Sequence, residues 1–417
     1  MSTEFFKVKG IQVANIKSSS DIAFFGVAVK SGSNYETPEI AGISHFAEHL
    51  FFKGTKKRNW KQINEDFAKL GVNNNAYTSN NEVLYHTTCP KENIEPVIEL
   101  TLDMFFNSTI PEEELEKERG VIVEEKKMYD DDPKAAFSSA VGNAFFTWEI
   151  GHDTIGTFET IKSISRDQVI RYTEDKTNLS NFIFVCSGDI NSVDLKKYIA
   201  DNMPEDHKFY REKNVNSVKD GFWTDIINKP GKIKFLFERE NITQSSIDML
   251  TKGLSREDTD YYDSVVLYKA LGGGMYSKLF SRIREELGLC YSIGMQNFSL
   301  AYPERSLTDL YGYVSEKNVD SFMEESEKVI KDVVKNGLDQ NIFDCAKTDY
   351  LALILRGTET SAGKAHYLVN KYIYGKRDTV EEVIEKIRDV KIETCNELAG
   401  RLLNVDYNWA VMNPKGE

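Results

Sequence analysis

Cysteine is scarce in this 417-residue chain, and the five present (Cys89, Cys186, Cys290, Cys345 and Cys395) are scattered and odd in number, with no Cys-x-x-Cys pair. That excludes a disulfide framework and a thiolate metal knuckle, and it fits free, mostly buried thiols in a reducing compartment. Long hydrophobic runs are missing: no stretch approaches the roughly 20 consecutive apolar residues that a membrane helix needs. The N-terminus lacks a basic segment followed by an apolar core, and it is not rich in Arg and Ser. No secretory signal or transit peptide is therefore expected, which points to the cytoplasm and away from a membrane. Positive charge is in deficit, with 52 Lys and Arg against 66 Asp and Glu and a formal net charge of −14. A basic face for phosphate is thus not expected, which argues against nucleic acid as a partner. The same charge favours solubility and would attract basic peptides. Histidine is rare too, with six in the chain.

What is present suits a globular protein: 41% apolar and 28% charged residues, enough chain for two domains with a core each. The best boundary lies in the polar stretch from Asn202 to Gly231, so the expected domains are residues 1–215 and 216–417. Strand patterns fall at Ile22 to Val29, Val83 to Thr88 and Phe182 to Ser187, and helical patterns at Ile40 to Phe52, Ile94 to Phe106 and Glu112 to Tyr129. The second half repeats the plan. Its strands are Ser245 to Thr251, Leu289 to Phe298, Ser306 to Val314 and Trp409 to Met412, and its helices are Asp258 to Leu271, Val319 to Val334 and Gln340 to Leu353. Most counterparts are offset by about 220 to 230 residues, as a duplication produces. The expected fold class is α+β: two tandem homologous domains, each a mostly antiparallel sheet packed with helices.

One segment carries chemistry: His45-Phe46-Ala47-Glu48-His49, followed by Leu50-Phe51-Phe52-Lys53-Gly54-Thr55. On a helix, residues four apart share a face, so His45 and His49 can aim two imidazoles at one ion. Glu48 falls on the flank of that face, placed to take a proton from water beside a metal without ligating it. This is the H-x-x-E-H order, the reverse of H-E-x-x-H. A catalytic zinc takes three protein ligands, so a third is required. The helix at Glu112 to Tyr129 has Leu115, Glu118, Ile122, Glu125 and Tyr129 on one stripe, expected to face the core. Glutamates there are costly unless paired or metal-bound, which suggests Glu125 as ligand and Glu118 as a supporting carboxylate. The same helix is acidic throughout and can also be read as a solvated one.

These residues resemble the pitrilysin/insulinase family of zinc metallopeptidases, and most closely its half-size branch, which includes mitochondrial processing peptidase and bacterial homologues. In that family the third ligand follows the second histidine at about the distance seen here (125 − 49 = 76) and lies seven residues after another acid (125 − 118 = 7). The resemblance selects Glu125 over Glu124 and gives Glu118 a place in the catalytic set. Asn75-Ala76-Tyr77-Thr78-Ser79 resembles the family's edge strand beside the zinc, to which an extended peptide adds by main-chain hydrogen bonds. Leu271-Gly272-Gly273-Gly274 through Arg284 to Tyr291 resembles the family's C-terminal signature, which implies Arg284 and Tyr291 as substrate donors (291 − 284 = 7). Without the family, Tyr291 would open a core strand and Arg284 would pair with a nearby acid. The three glycines lack a P-loop ending and read as a flexible loop. His86, His152, His207 and His366 have no spacing partner and read as ordinary residues.

The resemblance implies one Zn²⁺ per chain, Glu48 as general base, and Arg284 with Tyr291 stabilising charge on the scissile carbonyl. It also implies an assembly of halves around a chamber that admits short or unfolded peptides. With both signatures on one chain, a homodimer is the economical form, and a heterodimer with an inactive homologue is the alternative. Two rival functions stand beside this one: a non-catalytic assembly or scaffold subunit, and a zinc hydrolase acting on other substrates.

Overall fold

The structure is a computed structural model that describes residues 2–205, 234–301, 305–375 and 378–415. The boundary expected at 215/216 falls outside the described residues. Two compact units are present, and each draws on both sides of that boundary. The first comprises 1–129, 152–219 and 357–377; the second comprises 130–151, 220–356 and 378–417.

The first unit is built on a six-stranded sheet. In chain order its strands are β1 (Thr3–Val8), β2 (Ile11–Lys17), β3 (Ile22–Val29), β4 (Asn73–Thr78), β5 (Val83–Pro90) and β6 (Phe182–Gly188). Their spatial order is β1-β2-β6-β3-β5-β4, with β2 and β6 parallel and every other pair antiparallel. Helix α1 (Ile43–Phe51) leads to α2 (Trp60–Lys69), whose Asn59 and Gln62 form a reciprocal capping box. Next come α3 (Ile94–Asn107) and α4 (Glu112–Asp131). Strand β3 reads as a nearly unbroken apolar run because both faces of the sheet are covered. Phe25 and Val27 pack into one core with Ile98 and Leu102 of α3, while Phe24 and Ala28 pack into another with Leu368 and Val369 of the helix Ser361–Ile373.

In the second unit the strands are β7 (Lys234–Arg239), β8 (Ser245–Lys252), β9 (Cys290–Ala301), β10 (Arg305–Val314) and β11 (Asn408–Pro414). Their order β7-β11-β8-β10-β9 repeats β2-β6-β3-β5-β4, including the single parallel pair. Strand starts differ by as little as 290 − 73 = 217 and as much as 408 − 182 = 226 residues, which is the offset a duplication leaves. The duplicated plan extends to a helix that the sequence analysis did not find: α5 (Pro133–Phe145) belongs to the second unit and Ser361–Ile373 to the first, 361 − 133 = 228 residues apart. Phe145 of α5 meets Phe235 of β7 at 4.9 Å between ring centroids, and Phe137 meets Phe237. Each half of the chain thus contributes one helix to the sheet of the other half. Of the three consecutive glycines, Gly272 is not a free loop residue. It ends the helix Tyr261–Gly272 against β9, where an added Cβ would lie 2.4 Å from the Met295 nitrogen.

Two of the histidines read as ordinary meet in space. His86 of β5 stacks on Phe24, and its ring lies 5.1 Å from that of His366. Burial, and then the proximity of His366, pushes His86 down to about 4; burial lowers His366 as well. Both are therefore neutral in the fold at neutral pH, whereas an unfolded histidine gains its proton near pH 6.5. The stability that this cluster contributes is complete above about pH 6.5 and is lost as pH falls toward 4. Allowing for solvent contact at the ring, the loss amounts to about 2 kcal/mol. In urea titrations of the metal-free protein at pH 7 and pH 5, His86→Phe should keep the stack on Phe24 and show a smaller drop between the two pH values. An equal drop in both proteins would show that His86 is not the group responsible.

Candidate metal centre

Helix α1 begins at Gly42, which adopts a left-handed backbone conformation (φ 89°, ψ 0°) and offers no side-chain cap. The cap comes from Glu36 instead: its fully buried carboxylate accepts the Gly42 N–H at 2.6 Å and the Ser44 N–H at 2.8 Å. His152 Nε2 lies 3.3 Å from the same carboxylate. A negative charge at a helix N-terminus is favoured by both the free amides and the dipole. Ile43, Phe46 and Leu50 on one side of α1 pack with Leu115 and Ile122 of α4, Ile155 and Val169. Burying each such side chain stabilises by about 1.5–3 kcal/mol. That packing turns the histidines of α1 toward the glutamates of α4.

The result is a convergent donor set. His45, His49 and Glu125 each offer one ligand atom, all within 4.8 Å of one another. Glu125 Oε2 lies 3.6 Å from His45 Nε2 and 3.3 Å from His49 Nε2. These separations are longer than the roughly 2.7–2.9 Å of a charge-assisted hydrogen bond. They match the roughly 3.3 Å between neighbouring ligand atoms in a tetrahedral site with metal–ligand distances of about 2.0–2.1 Å. Two imidazoles and one carboxylate also form a donor set characteristic of catalytic zinc. The residues therefore fit the metal that the sequence suggests.

Support for the donors is uneven. His49 Nδ1 lies 2.9 Å from Glu118 Oε2, which directs Nε2 to the metal position, and Glu118 Oε1 in turn meets Lys53 Nζ at 2.7 Å. Burial opposes ionisation of Glu118, but its bonds to His49 and Lys53 hold it below the usual carboxylate range. Glu118 thus acts on a ligand's far nitrogen and not at the reacting position. His45 Nδ1 is buried with no partner among the described residues, so packing alone orients that ring. Without metal the two imidazoles diverge. Burial and neighbouring His49 push His45 down to about 4, whereas for His49 burial is outweighed by the hydrogen bond to Glu118 and the nearby Glu125 charge, which carry it up to about 9. Because such supporting partners are worth about 10- to 100-fold in metal affinity, Glu118→Ala should raise the zinc dissociation constant by that factor. Competition with a chromophoric chelator measures it, and an unchanged constant would mean that Glu118 does not orient His49.

Glu48 lies beside the donors. Burial raises its pKa, opposed by a hydrogen bond from Thr78 Oγ1 to Oε2 of 2.5 Å. The expected α4 stripe holds only in part. Its buried positions are Leu115, Glu118, Ile122 and Lys126, while Tyr129 is 44% exposed. The step from Ile122 to Lys126 follows the 3.6-residue period and rolls Glu125 onto the rim of the packed face, where it can reach a metal.

Asn75, Ala76, Tyr77 and Thr78 lie on β4, at the end of the sheet, as an edge strand requires. Their side chains have other work. Tyr77 Oη donates to Glu82 at 2.6 Å, Thr78 serves Glu48, and Asn75 Oδ1 accepts the Ala76 N–H at 2.9 Å. Arg284 and Tyr291 belong to the second unit. The guanidinium stands 5.1 Å from the centroid of the Tyr291 ring, and Tyr291 is 76% exposed although it lies on β9. It is therefore not a core residue. Neither the Lys53 contact with Glu118 nor the Glu36 cap on α1 is indicated by the motif and its spacing. Lys53 follows His49 by four residues, a spacing that could have pointed to a shared partner; Glu36 gives no local signal, since only the fold brings it to α1.

Residues 12–157 match the family model described as insulinase (peptidase family M16), and residues 163–350 match that of the peptidase M16 inactive domain. A Bacillus subtilis protein described as an uncharacterized zinc protease, YmxG, is 29% identical over 396 residues, which cover 94% of this chain and 93% of that protein. A Rickettsia bellii protein, also described as an uncharacterized zinc protease, is 28% identical over 388 residues, covering 92% of this chain and 90% of its own. Among solved structures, a protease from Helicobacter pylori superposes with a TM-score of 0.90 at 19% identity, covering 99% of this chain and all of that one. A chain of complex III2 from Candida albicans superposes with a TM-score of 0.82 at 16% identity, covering 99% of this chain and 96% of that one. With two family models matched in tandem across both halves, the chain belongs to the insulinase family of peptidases, M16.

Proposed function

We propose that the chain is a zinc-dependent endopeptidase that hydrolyses short or unfolded peptides, with one Zn²⁺ held by His45, His49 and Glu125. The observation that carries this reading is the convergence of two imidazoles and a carboxylate with a fourth group, Glu48, positioned beside them. When bound, the metal supplies a Lewis acid that polarises a carbonyl and lets water ionise near neutral pH. Glu48 takes the proton of the attacking water and returns it to the leaving amine. Burial raises its proton affinity, which suits a group that must both accept and release a proton. The free edge of β4 would take the peptide backbone as an added strand.

Arg284 and Tyr291 would donate to the scissile carbonyl. A homodimer enclosing a chamber would account for a half-size chain that carries both sets, and the acidic net charge would favour basic peptides. The second reading is a non-catalytic assembly subunit; the superposition on a complex III chain, at 16% identity, supports the shared fold alone. The full donor set with Glu48 argues for catalysis.

The test is cleavage of short, quenched, unstructured peptides by the purified chain, with zinc per chain measured in parallel. The endopeptidase reading expects zinc in the protein, cleavage, and loss of cleavage with a chelator. Zinc without cleavage of any peptide would favour the assembly-subunit reading. Failure to load zinc at all would remove the metal assignment.

A further inference from the structure

Thr78 does more than lie on an edge strand. It is the last residue of β4, opposite Val83 of β5, and its side chain faces α1, where its hydroxyl meets Glu48 Oε2 at 2.5 Å. The backbone just beyond it is pinned. Ser79 N–H donates to the Glu82 carbonyl at 2.8 Å, and the Ser33 and Asn34 amides donate to the Ser79 and Asn80 carbonyls at 3.3 and 2.9 Å. Gly32 approaches so closely that an added Cβ would lie 2.2 Å from the Ser79 oxygen. The same segment runs on to Glu36, which holds the first amides of α1. The edge strand and the helix that bears Glu48 are therefore joined twice, once through residues 32–36 and once through the Thr78 hydroxyl.

We propose that Thr78 is a positioning residue for Glu48: its hydroxyl fixes the carboxylate in one orientation and ties that orientation to the strand on which a peptide would dock. A glutamate side chain has three torsions, and an unrestrained carboxylate samples several rotamers. Thr78 has a single hydroxyl proton, and donating it to Oε2 leaves Oε1 free to accept a proton from water. That proton moves from water to Oε1 and then to the leaving nitrogen, while the proton of Thr78 stays on its own oxygen. Docking a peptide against β4 would thereby stiffen the strand that holds the base. This inference rests on the endopeptidase reading for its kinetic consequence and on the Thr78–Glu48 contact for its structural one.

Thr78→Val keeps the side-chain shape and removes the hydroxyl; Thr78→Ser keeps the hydroxyl and removes the methyl. Zinc content, kcat and KM, and crystal structures of the wild type and both variants would be compared. The Val variant should bind zinc normally and lose roughly 10- to 100-fold in kcat with KM nearly unchanged. The Ser variant should recover most of the rate. In the Val crystal structure the Glu48 carboxylate should leave its wild-type position. The proposal falls if that carboxylate stays in place in the Val variant, if kcat is unchanged, if the loss lies in KM alone, or if Ser does no better than Val. Should the wild type cleave no peptide, the endopeptidase reading fails, yet the carboxylate position in the Val structure still decides whether Thr78 holds Glu48.

Discussion

Replacing Glu48 with Gln is expected to abolish peptide cleavage, by about a thousandfold or more, while zinc content and folding stay as in the wild type. The amide matches the carboxylate in shape and keeps an oxygen to accept from Thr78 Oγ1, so the local hydrogen bond survives. It cannot take a proton from water at any physiological pH. Stability should hold or rise slightly, because Glu48 is largely buried and burial already raises its pKa; a neutral group at that place avoids the cost of desolvating a charge. The measurement is kcat/KM on an unstructured peptide, with zinc per chain determined on the same sample. Loss of zinc together with activity would mean that Glu48 supports the donor set; activity within tenfold of wild type would remove it as the base.

The second large effect lies at Gly42, where an alanine should destabilise the first unit by about 3 kcal/mol or more and scatter the metal donors. Two causes add. The backbone there has φ +89°, which costs an L-residue about 1–2 kcal/mol. An added Cβ would also lie 2.4 Å from the Ile155 carbonyl oxygen, and one on the facing Gly156 would lie 2.3 Å from the Ala41 carbonyl oxygen, so the two backbones cross where no side chain fits. Gly71 provides the control: its φ is +62° but nothing among the described residues lies within 4 Å of an added Cβ, so Gly71→Ala should cost only the backbone strain. Urea midpoints and zinc stoichiometry of the two variants read the difference. If Gly42→Ala proves as mild as Gly71→Ala and retains zinc, the crossing of the two glycine backbones is not what fixes the start of α1.

Both effects follow from how the centre is held. Glu36 secures the start of α1, the Glu118–Lys53 pair secures His49, and Thr78 secures Glu48. None of these groups is a metal ligand. Catalytic centres gain rate when the reacting groups are kept in place before substrate arrives, and a loose support costs more than its own hydrogen bond.

The sequence by itself determined the parts of this protein that local periodicity encodes. The spacing of His45, Glu48 and His49 places three groups on adjoining helix faces whatever the rest of the chain does. Strand β3 declared itself by a short apolar run, and the repeated order of elements exposed the duplication now seen in the matching strand orders of the two sheets. For Glu125 periodicity was not sufficient: the stripe through Tyr129 suggested a core face, and the family spacing made the choice. Only the tertiary structure decided the rest. His86 and His366 are 280 residues apart yet in ring contact, α5 and Ser361–Ile373 belong to units that no single cut in the chain would define, and Glu36 caps a helix it does not belong to. Such contacts arise from the packing of whole elements, and no spacing rule along the chain can foretell them. For the same reason the working groups around the metal donors, Glu118 with Lys53 and Thr78 with Glu48, acquire their roles only when α1, α4 and β4 close on one another.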